Sequence, residues 1–280
     1  MELSPSAVVA LLAAVLMTTT VTGCGALSPE PNEARPGPPG HQATIAVPED
    51  AATLQQAVDA AVPGDLVLIA EGVYREDVVV RTPRIVLRGT DRNSVVIDGQ
   101  SQRRAGVTVT ADEVTVENLT VRGHTAAGVR FTGTPGRPLL GYRASYLTVH
   151  DNARHGVRAT HTRRGVIEHS YASGHSHAGI HLEHCAPCHT VVRDNLTERN
   201  ARGIALGHAS HGLTVRENHG SGNRLGIADL SGGRAPGVVI RDNILPDGPA
   251  PGPVPSAPPR QPPLPAVPAA GPPSTAARLP

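Results

Sequence analysis

Apolar and polar residues alternate in short segments that recur through the middle of the chain. In GVRFT, GIHLE and GIALG, the residues one and three places after the glycine are apolar. Such alternation predicts β-strands that have one buried face and one outward face. The glycines that mark these segments are Gly106, Gly128, Gly156, Gly179, Gly203 and Gly226. Each of these glycines starts one repeat of the pattern.

The repeat has a nearly constant length. Successive glycines are 22, 28, 23, 24 and 23 residues apart, and each period holds two further short segments that end in Asn or His or in a residue at the equivalent place. Three short strands per period of this length are typical of stacked coils. We predict an all-β fold, a right-handed parallel β-helix with three short strands per coil of 22–24 residues. The one long spacing predicts a projecting loop near residues 132–143.

Asparagines recur at one corner of the predicted coil. The segments VVRDN and TVREN end at Asn195 and Asn218, which are 23 residues apart. Equivalent residues of neighbouring coils lie one above another, so these amides can bond each other and buried backbone groups. We predict that Asn195 and Asn218 point inward and stack.

A helix is predicted before the first coils. Residues 51–61 carry apolar residues on one side, and Asp50 stands where an N-cap is expected. A solenoid needs a cap over its first coil. We therefore predict an N-terminal capping helix.

The two ends of the chain have different compositions from the repeats. Residues 1–24 contain an uncharged apolar run and end in Val-Thr-Gly-Cys, which resembles a lipoprotein signal peptide in which Cys24 is lipidated. Residues 25–42 are a Pro-rich tether, and 247–280 are predicted to be a disordered Pro-rich tail. The β-helix then occupies residues 43–246. We expect an extracytoplasmic protein held to the cell membrane by its N-terminal lipid.

Composition limits the range of partners. The net charge is +1, Phe occurs once and Trp is absent. Nucleic-acid binding usually needs a strong positive field or aromatic rings that stack on bases. We expect no nucleic-acid partner, and we expect a monomer.

The first coils carry a family resemblance. The stretch TLQQAVDAAVPGDLVLIAEGVYREDVVV, followed by RIVLRGT and VVIDG, resembles the start of pectin-lyase-like right-handed β-helix proteins. It is similar to the β-helix repeat lipoproteins and NosD-like periplasmic proteins of bacteria. The resemblance implies the fold but not a reaction, because this fold hosts lyases, hydrolases, esterases, epimerases and binding proteins.

Three functions follow from these expectations. The first is an exported, lipid-anchored protein that binds cell-envelope or extracellular carbohydrate without clear catalysis. The second is a polysaccharide-active lyase or hydrolase of the pectin-lyase-like class. The third, which the NosD resemblance implies, is an extracytoplasmic protein that binds Cu or Zn. We expect no cofactor, with Cu or Zn as the alternative. Whether the protein is an enzyme stays open.

The predicted carbohydrate site is a row of arginines. Arg193, Arg216 and Arg241 occupy the same place in successive repeats and point outward. Such a row can hold an anionic sugar, or it can consist of solvated arginines with no ligand.

The predicted metal site is a corner rich in histidine. His161, His184 and His208 each follow a repeat glycine by five residues, and His211 lies near them. Imidazole nitrogens suit Zn or Cu, although a plain polar corner explains the same pattern.

The cysteines at this corner have several interpretations. Cys185 and Cys188 end the stretch GHSHAGIHLEHCAPCH, which contains the Cys-x-x-Cys-His spacing of c-type haem attachment. A local disulfide is the first expectation. Metal ligation by reduced thiols and a haem site are the alternatives.

Overall fold

The computed structural model describes residues 43–208, 210–230 and 237–248. These residues form a parallel solenoid in which each coil contributes one strand to each of three sheets. The predicted all-β, right-handed β-helix fold is confirmed. The predicted segments 1–24 and 25–42, and residues 249–280 of the predicted tail, lie outside the described residues. No helix in the described ranges has the length and apolar character needed to span a membrane.

The sheets are numbered in the order in which a coil visits them. Sheet 1 contains β1 (Thr44–Val47), β2 (Leu66–Ile69), β5 (Val86–Gly89), β8 (Thr115–Glu117), β12 (Arg143–Ser145), β16 (Val166–Glu168), β19 (Thr190–Arg193), β22 (Leu213–Arg216) and β25 (Val239–Arg241). Sheet 2 contains β3 (Gly72–Tyr74), β6 (Val95–Asp98), β9 (Thr120–Arg122), β13 (Thr148–His150), β17 (Tyr171–Ser173), β20 (Leu196–Glu198) and β23 (His219–Ser221). Sheet 3 contains β4 (Val78–Val80), β7 (Ala105–Val109), β10 (Ala127–Thr132), β14 (His155–Thr160), β18 (Ala178–Glu183), β21 (Arg202–Leu206) and β24 (Leu225–Asp229). A small two-stranded sheet pairs β11 (Leu139–Leu140) with β15 (Thr162–Arg163).

The core consists of rows of apolar residues that stack from coil to coil. The residue directly after each of the first five repeat glycines is fully buried and pairs with its equivalent in the next coil, which gives the row Val107, Val129, Val157, Ile180 and Ile204. Apolar area removed from water stabilises the fold by about 25 cal/mol per Å². The alternation in the sequence therefore sets which face of each strand points into the solenoid.

Asparagine rows occupy two corners of the solenoid. Asn195 and Asn218 are buried, and Nδ2 of Asn195 donates to Oδ1 of Asn218 at 2.9 Å. The predicted inward stacking of these two residues is confirmed. A second row, at the other corner, contains Asn152, His175 and Asn200.

The helix α1 (Leu54–Ala60) packs against β1, β2 and β4 at the N-terminal end of the solenoid. Its buried residues are Leu54, Ala57 and Val58. The prediction that Asp50 is the N-cap is wrong, because Oγ1 of Thr53 accepts the hydrogen bond from the backbone of Gln56. The Asp50 carboxylate instead accepts from the backbone N–H of Ala46 at 2.7 Å and closes the preceding turn.

The long repeat contains the predicted projecting loop. Between β10 and β12 the chain turns back through an antiparallel bridge of Thr134 with Arg137 and then adds β11. Tyr142 is buried at the base of the loop and stacks on Phe131, with ring centroids 4.5 Å apart. The loop therefore starts and ends on rigid elements of the core.

Candidate functional site

The outward face of sheet 3 carries basic side chains in register. The residue two places after each repeat glycine lies on this face, and β-pairing aligns these residues in the row Thr108, Arg130, Arg158, His181 and Ala205. Residues just before the glycines also reach this side. Arginines and histidines from different coils are therefore brought together at one place on the surface.

A small pocket opens between these arginines. Its volume is about 40 Å³, and the residues that line it are Arg104, Ala126, Ala127, Arg130, Arg154, His155 and Arg158. The side chains of the two alanines carry no polar group, so the polar side chains that line the pocket are four arginines and one histidine. We call this the arginine pocket.

The charges at the arginine pocket are only partly balanced. Arg158 forms an ion pair with Glu183, whereas Arg104, Arg130 and Arg154 have no ion pair within the described residues. Burial, together with the nearby Arg158 and Arg104, lowers the pKa of Arg130. The positive charges of neighbouring arginines repel one another, so the pocket favours an anion.

Three histidines form a cluster beside the arginine pocket. Each of His155, His177 and His181 offers one ring nitrogen, and these nitrogens lie within 4.8 Å of one another. The rings of His155 and His181 stack with centroids 4.9 Å apart, and the His177 ring lies 4.6 Å from that of His155. Within the described residues this is the group of His, Cys, Asp and Glu side chains that has the spacing of a metal site. We call it the histidine triad.

The histidine triad is held in its neutral form. Burial, followed by the neighbouring His181 and His177, lowers the pKa of His155 to about 2. Burial lowers the pKa of His181 to about 4 although Glu183 acts in the opposite direction, and burial also lowers the pKa of His177. Neutral imidazole is the form that can accept a proton or bind a metal ion.

The predicted arginine row exists on sheet 1. Arg193 pairs in register with Arg216, and Arg216 with Arg241. Each of the three is ion-paired, Arg193 with the buried Glu168, Arg216 with Glu217 and Arg241 with Asp242. Their positive charges are thus partly balanced within the protein. Carbohydrate binding by this row stays a prediction.

The predicted histidine corner is partly assembled. The rings of His161 and His184 lie 5.0 Å apart, and His184 donates its backbone N–H to the carbonyl of His208 at 2.8 Å. His161, His184, His208 and His211 do not belong to the histidine triad. Both His161 and His184 have positive φ angles, 51° and 54°, a conformation in which histidine is enriched. Their shared register therefore has a backbone explanation, and metal binding at this corner stays a prediction.

The two cysteines of the corner form a disulfide. Cys185 and Cys188 are bonded through their sulfur atoms, and both are buried. A disulfide leaves no thiolate for a metal or for haem attachment. The structure thus agrees with the first expectation for this pair.

The loop between β10 and β12 shapes a larger cavity next to sheet 3. Its volume is about 660 Å³, and it is lined by Arg81, Pro83, Arg84, Thr110, Ala111, Asp112, Glu113, Thr132, Gly133, Thr134, Arg137, Pro138 and Leu139. Thr132 of this lining follows Arg130 on the same face of β10. We call it the loop cavity. It is large enough for sugar units and lies along the same strand as the arginine pocket.

The arginine pocket and the histidine triad were not predicted from the sequence. The alternation predicts that the residue two after each glycine points outward, and Arg130, Arg158 and His181 occupy that position in successive repeats. Arg154 and His155 lie just before Gly156 and point to the same side of the sheet. The outward positions on both sides of each glycine, taken together, therefore indicate the site in the sequence.

The comparison with known families agrees with the observed architecture. The family described as the right handed beta helix region matches residues 85–219 and 141–250. The overlapping matches span more than half of the 280 residues. The chain therefore belongs to the right-handed β-helix family. No curated protein sequence matches it.

Solved structures share this fold at low sequence identity. The alginate lyase from Paenibacillus sp. str. FPU-7 superposes with a TM-score of 0.55 at 18% identity, covering 72% of this chain and 75% of the lyase. Escherichia coli YbhC gives 0.52 at 14% identity, covering 81% and 76%. Pectin methylesterase PemA from Erwinia chrysanthemi gives 0.48 at 13% identity, covering 64% and 65%. The predicted pectin-lyase-like fold is confirmed, and the activity of this chain does not follow from these similarities.

Proposed function

We propose that the protein binds an acidic polysaccharide on the outward face of sheet 3. The observation that carries the proposal is the arginine pocket, in which Arg104, Arg130 and Arg154 surround a cavity and have no ion pair within the described residues. Planar guanidinium groups match carboxylate and sulfate geometry. A carboxylate or sulfate of one sugar unit is the occupant we propose.

The size of the pocket supports this choice of group. One water molecule needs a cavity volume of roughly 10–15 Å³. The arginine pocket, at about 40 Å³, therefore holds a carboxylate or a sulfate but not a sugar ring. The ring that carries the acidic group must therefore lie over the sheet surface. Specificity for a charged substituent, and not for a whole sugar, follows from this size.

The surface beyond the pocket supports a polymeric ligand. Thr132, which lines the loop cavity, comes two positions after Arg130 in β10, and two positions along a strand span roughly 7 Å. A saccharide held at the arginine pocket can thus extend along β10 into a cavity of about 660 Å³. The alginate lyase that shares this fold is named for a polysaccharide, so alginate is the first ligand to test.

Binding without cleavage is the function we favour over lysis. A lyase needs a base that removes a proton next to the sugar carboxylate, and a base works best with a pKa near the operating pH. The pKa of His155, the histidine that lines the pocket, is about 2, which makes it a weak base. Cleavage is the alternative, and the same experiment detects it.

The experiment measures binding of alginate and polygalacturonate oligosaccharides to the full-length protein by calorimetry, with chelator present. We expect saturable binding that weakens as salt is added, because arginine–anion contacts are screened. Neutral dextran oligosaccharides are the ligand control. In a parallel sample with Ca²⁺ in place of the chelator, new ultraviolet absorbance from an unsaturated uronate would show that the protein is a lyase.

Matched variants locate the site. Arg130→Gln and Arg154→Gln should each weaken binding at least tenfold, whereas Arg216→Gln, on sheet 1 and paired with Glu217, should not change it. The reverse pattern would place the site on the sequence-predicted row of Arg193, Arg216 and Arg241. Absence of saturable binding to every acidic saccharide would reject the proposal.

We also propose that the protein works outside the cytoplasm on a lipid anchor. The support is the apolar segment before Cys24 and the Val-Thr-Gly-Cys sequence that ends it. Cys24→Ser should move the protein from the membrane fraction to the soluble fraction, and the mass of the wild-type N-terminus should include acyl chains. An unmodified Cys24 would contradict the anchor.

A further inference from the structure

We propose that His155, His177 and His181 bind one divalent transition-metal ion, such as Zn²⁺ or Cu²⁺. The site goes beyond polysaccharide binding and does not depend on it. It also differs from the corner of His161, His184, His208 and His211 that the sequence suggested.

The geometry of the histidine triad is close to that of a bound metal. Zn–N bonds of 2.0–2.1 Å in a tetrahedron place ligand nitrogens roughly 3.4 Å apart. The three ring nitrogens now lie within 4.8 Å of one another. Small rotations of the three rings therefore suffice to close the site. The histidines come from two neighbouring coils, with His155 in β14, His181 in β18 and His177 just before β18.

The ring nitrogens lack other partners. Nδ1 of His155, Nδ1 of His177 and both ring nitrogens of His181 are buried without a hydrogen bond. An unsatisfied buried polar group costs about 1–3 kcal/mol. A metal ion that accepts electron pairs from one nitrogen of each ring removes part of this cost.

A carboxylate is placed to support the ligands. Oε2 of Glu183 lies 3.9 Å from Nε2 of His181, on the same face of β18. Metal-bound histidines commonly have a carboxylate neighbour that orients the ring and balances charge. Glu183 also pairs with Arg158, so it connects the histidine triad to the arginine pocket.

The surrounding arginines set the character of the site. Arg154, Arg158 and Arg202 act on the histidines electrostatically and disfavour an added positive charge. The triad supplies three ligands and leaves a fourth position for another group. An anion at that position interacts favourably with both the metal and the arginines, so anionic ligands should strengthen metal binding.

The repeat supplies conservative variants for the test. The residues paired with His155 in both neighbouring coils are alanines, Ala127 and Ala178, and the residue paired with His181 in the following coil is Ala205. His177 stands two places before its repeat glycine, where the next repeat has Ala201. Alanine at each triad position therefore fits the coil.

The test titrates Zn²⁺ and Co²⁺ into the full-length protein without saccharide. We expect one equivalent of Zn²⁺ to bind, and Co²⁺ to give the visible absorption of a four-coordinate, nitrogen-ligated ion. His155→Ala, His177→Ala and His181→Ala should each weaken binding at least tenfold and should keep the metal-free melting temperature near that of the wild type. His184→Ala should bind as the wild type does.

Two results would overturn the proposal. One is binding that persists in all three triad variants and is lost in His184→Ala, which would move the site to the corner. The other is the absence of stoichiometric binding in the wild type. Saccharide binding measured with chelator present stays informative in both cases, so failure here is distinct from failure of the proposed function.

Discussion

The side-chain amide of Asn218 accepts two hydrogen bonds from Asn195 in the coil before it. Oδ1 of Asn218 receives the backbone N–H of Asn195 at 3.1 Å and its side-chain Nδ2 at 2.9 Å. Nδ2 of Asn195 also donates to the carbonyl of Ile167 at 2.9 Å. Nδ2 of Asn195 lies 2.8 Å from the carbonyl of Arg193 as well, so one buried side chain bonds backbone groups of its own coil and of a neighbour.

Asn195→Ala should destabilise the protein. The substitution leaves the buried backbone N–H of Ser170 without its acceptor and removes the side-chain donor to the carbonyl of Ile167, and the expected cost is about 1–3 kcal/mol. Chemical denaturation measures the change. The control is Thr125→Ala, which removes one exposed hydrogen bond to the carbonyl of Arg103 and should have a smaller effect. An equal effect of the two variants would contradict the role of the inner row.

His175 should make the fold sensitive to acid. Its Nδ1 lies 2.9 Å from Oδ1 of Asn200, and its Nε2 lies 3.4 Å from Nδ2 of Asn152, so the neutral ring fits between an acceptor and a donor. Burial lowers its pKa from 6.5 to about 4, although the hydrogen bond with Asn200 acts in the opposite direction. The unfolded chain therefore binds more protons than the folded chain as pH falls from about 6.5 to about 4, and stability is lost in that window.

His175→Asn should reduce this loss. Asparagine already occupies the equivalent places at Asn152 and Asn200, and it does not titrate. Near pH 5 the wild type should lose about 2 kcal/mol through this group relative to neutral pH, and the variant should not. Denaturation curves at both pH values, with His219→Asn as an exposed control, measure the difference. Equal acid sensitivity of the wild type and His175→Asn would refute the assignment.

The arginines of sheets 1 and 3 should differ in their effects on stability. Arg193 contacts the fully buried carboxylate of Glu168, so Arg193→Gln should cost about 1 kcal/mol even though Arg143 remains as a second partner. Arg130 has the pocket arginines as neighbours, so Arg130→Gln should leave stability unchanged or raise it by up to about 0.5 kcal/mol. Thermal melts without ligand test the contrast. A larger loss for Arg130→Gln would show that this arginine has a structural role.

The disulfide should make a modest contribution to stability. Cys185 and Cys188 are three residues apart, and closing so short a loop is worth roughly 2 kcal/mol in the chain-entropy treatment. Reduction should lower the melting temperature by a few degrees without loss of the fold. Alkylation followed by mass spectrometry, with and without reductant, checks the bond. Two alkyl groups added without reductant would show free thiols.

The fold could be predicted from the sequence because the residues that determine it recur at a regular spacing. Val107, Val129 and Val157 follow their glycines at the same distance, and a buried row needs only that regularity. The stacking of Asn195 on Asn218 follows from the same arithmetic. The N-cap was missed because Asp50 and Thr53 are both good capping residues, and the choice between them depends on the turn that Asp50 closes with Ala46.

The candidate site was harder to predict from the sequence because its residues do not recur at a regular spacing. Arg130, Arg158 and His181 share a row, but His155 and His177 reach the same place from positions on the other side of the glycine. Whether these histidines meet depends on the conformation of each side chain across neighbouring strands. The spacing of residues along the sequence does not give that conformation. His161 and His184, by contrast, share an offset that the left-handed backbone conformation explains.

The asparagine row gives the solenoid a direction. Asn218 completes the amide of Asn195, and Asn243 in turn receives the backbone N–H of Asn218 at 3.0 Å. Each coil is therefore finished by the coil that follows it. When the chain emerges N-terminus first, each new coil supplies acceptors for the backbone N–H donors of the coil before it. The newest coil always has donors that are not yet paired. Unfolding should begin at the C-terminal end, because loss of the last coil leaves the backbone donors of the preceding coil without acceptors.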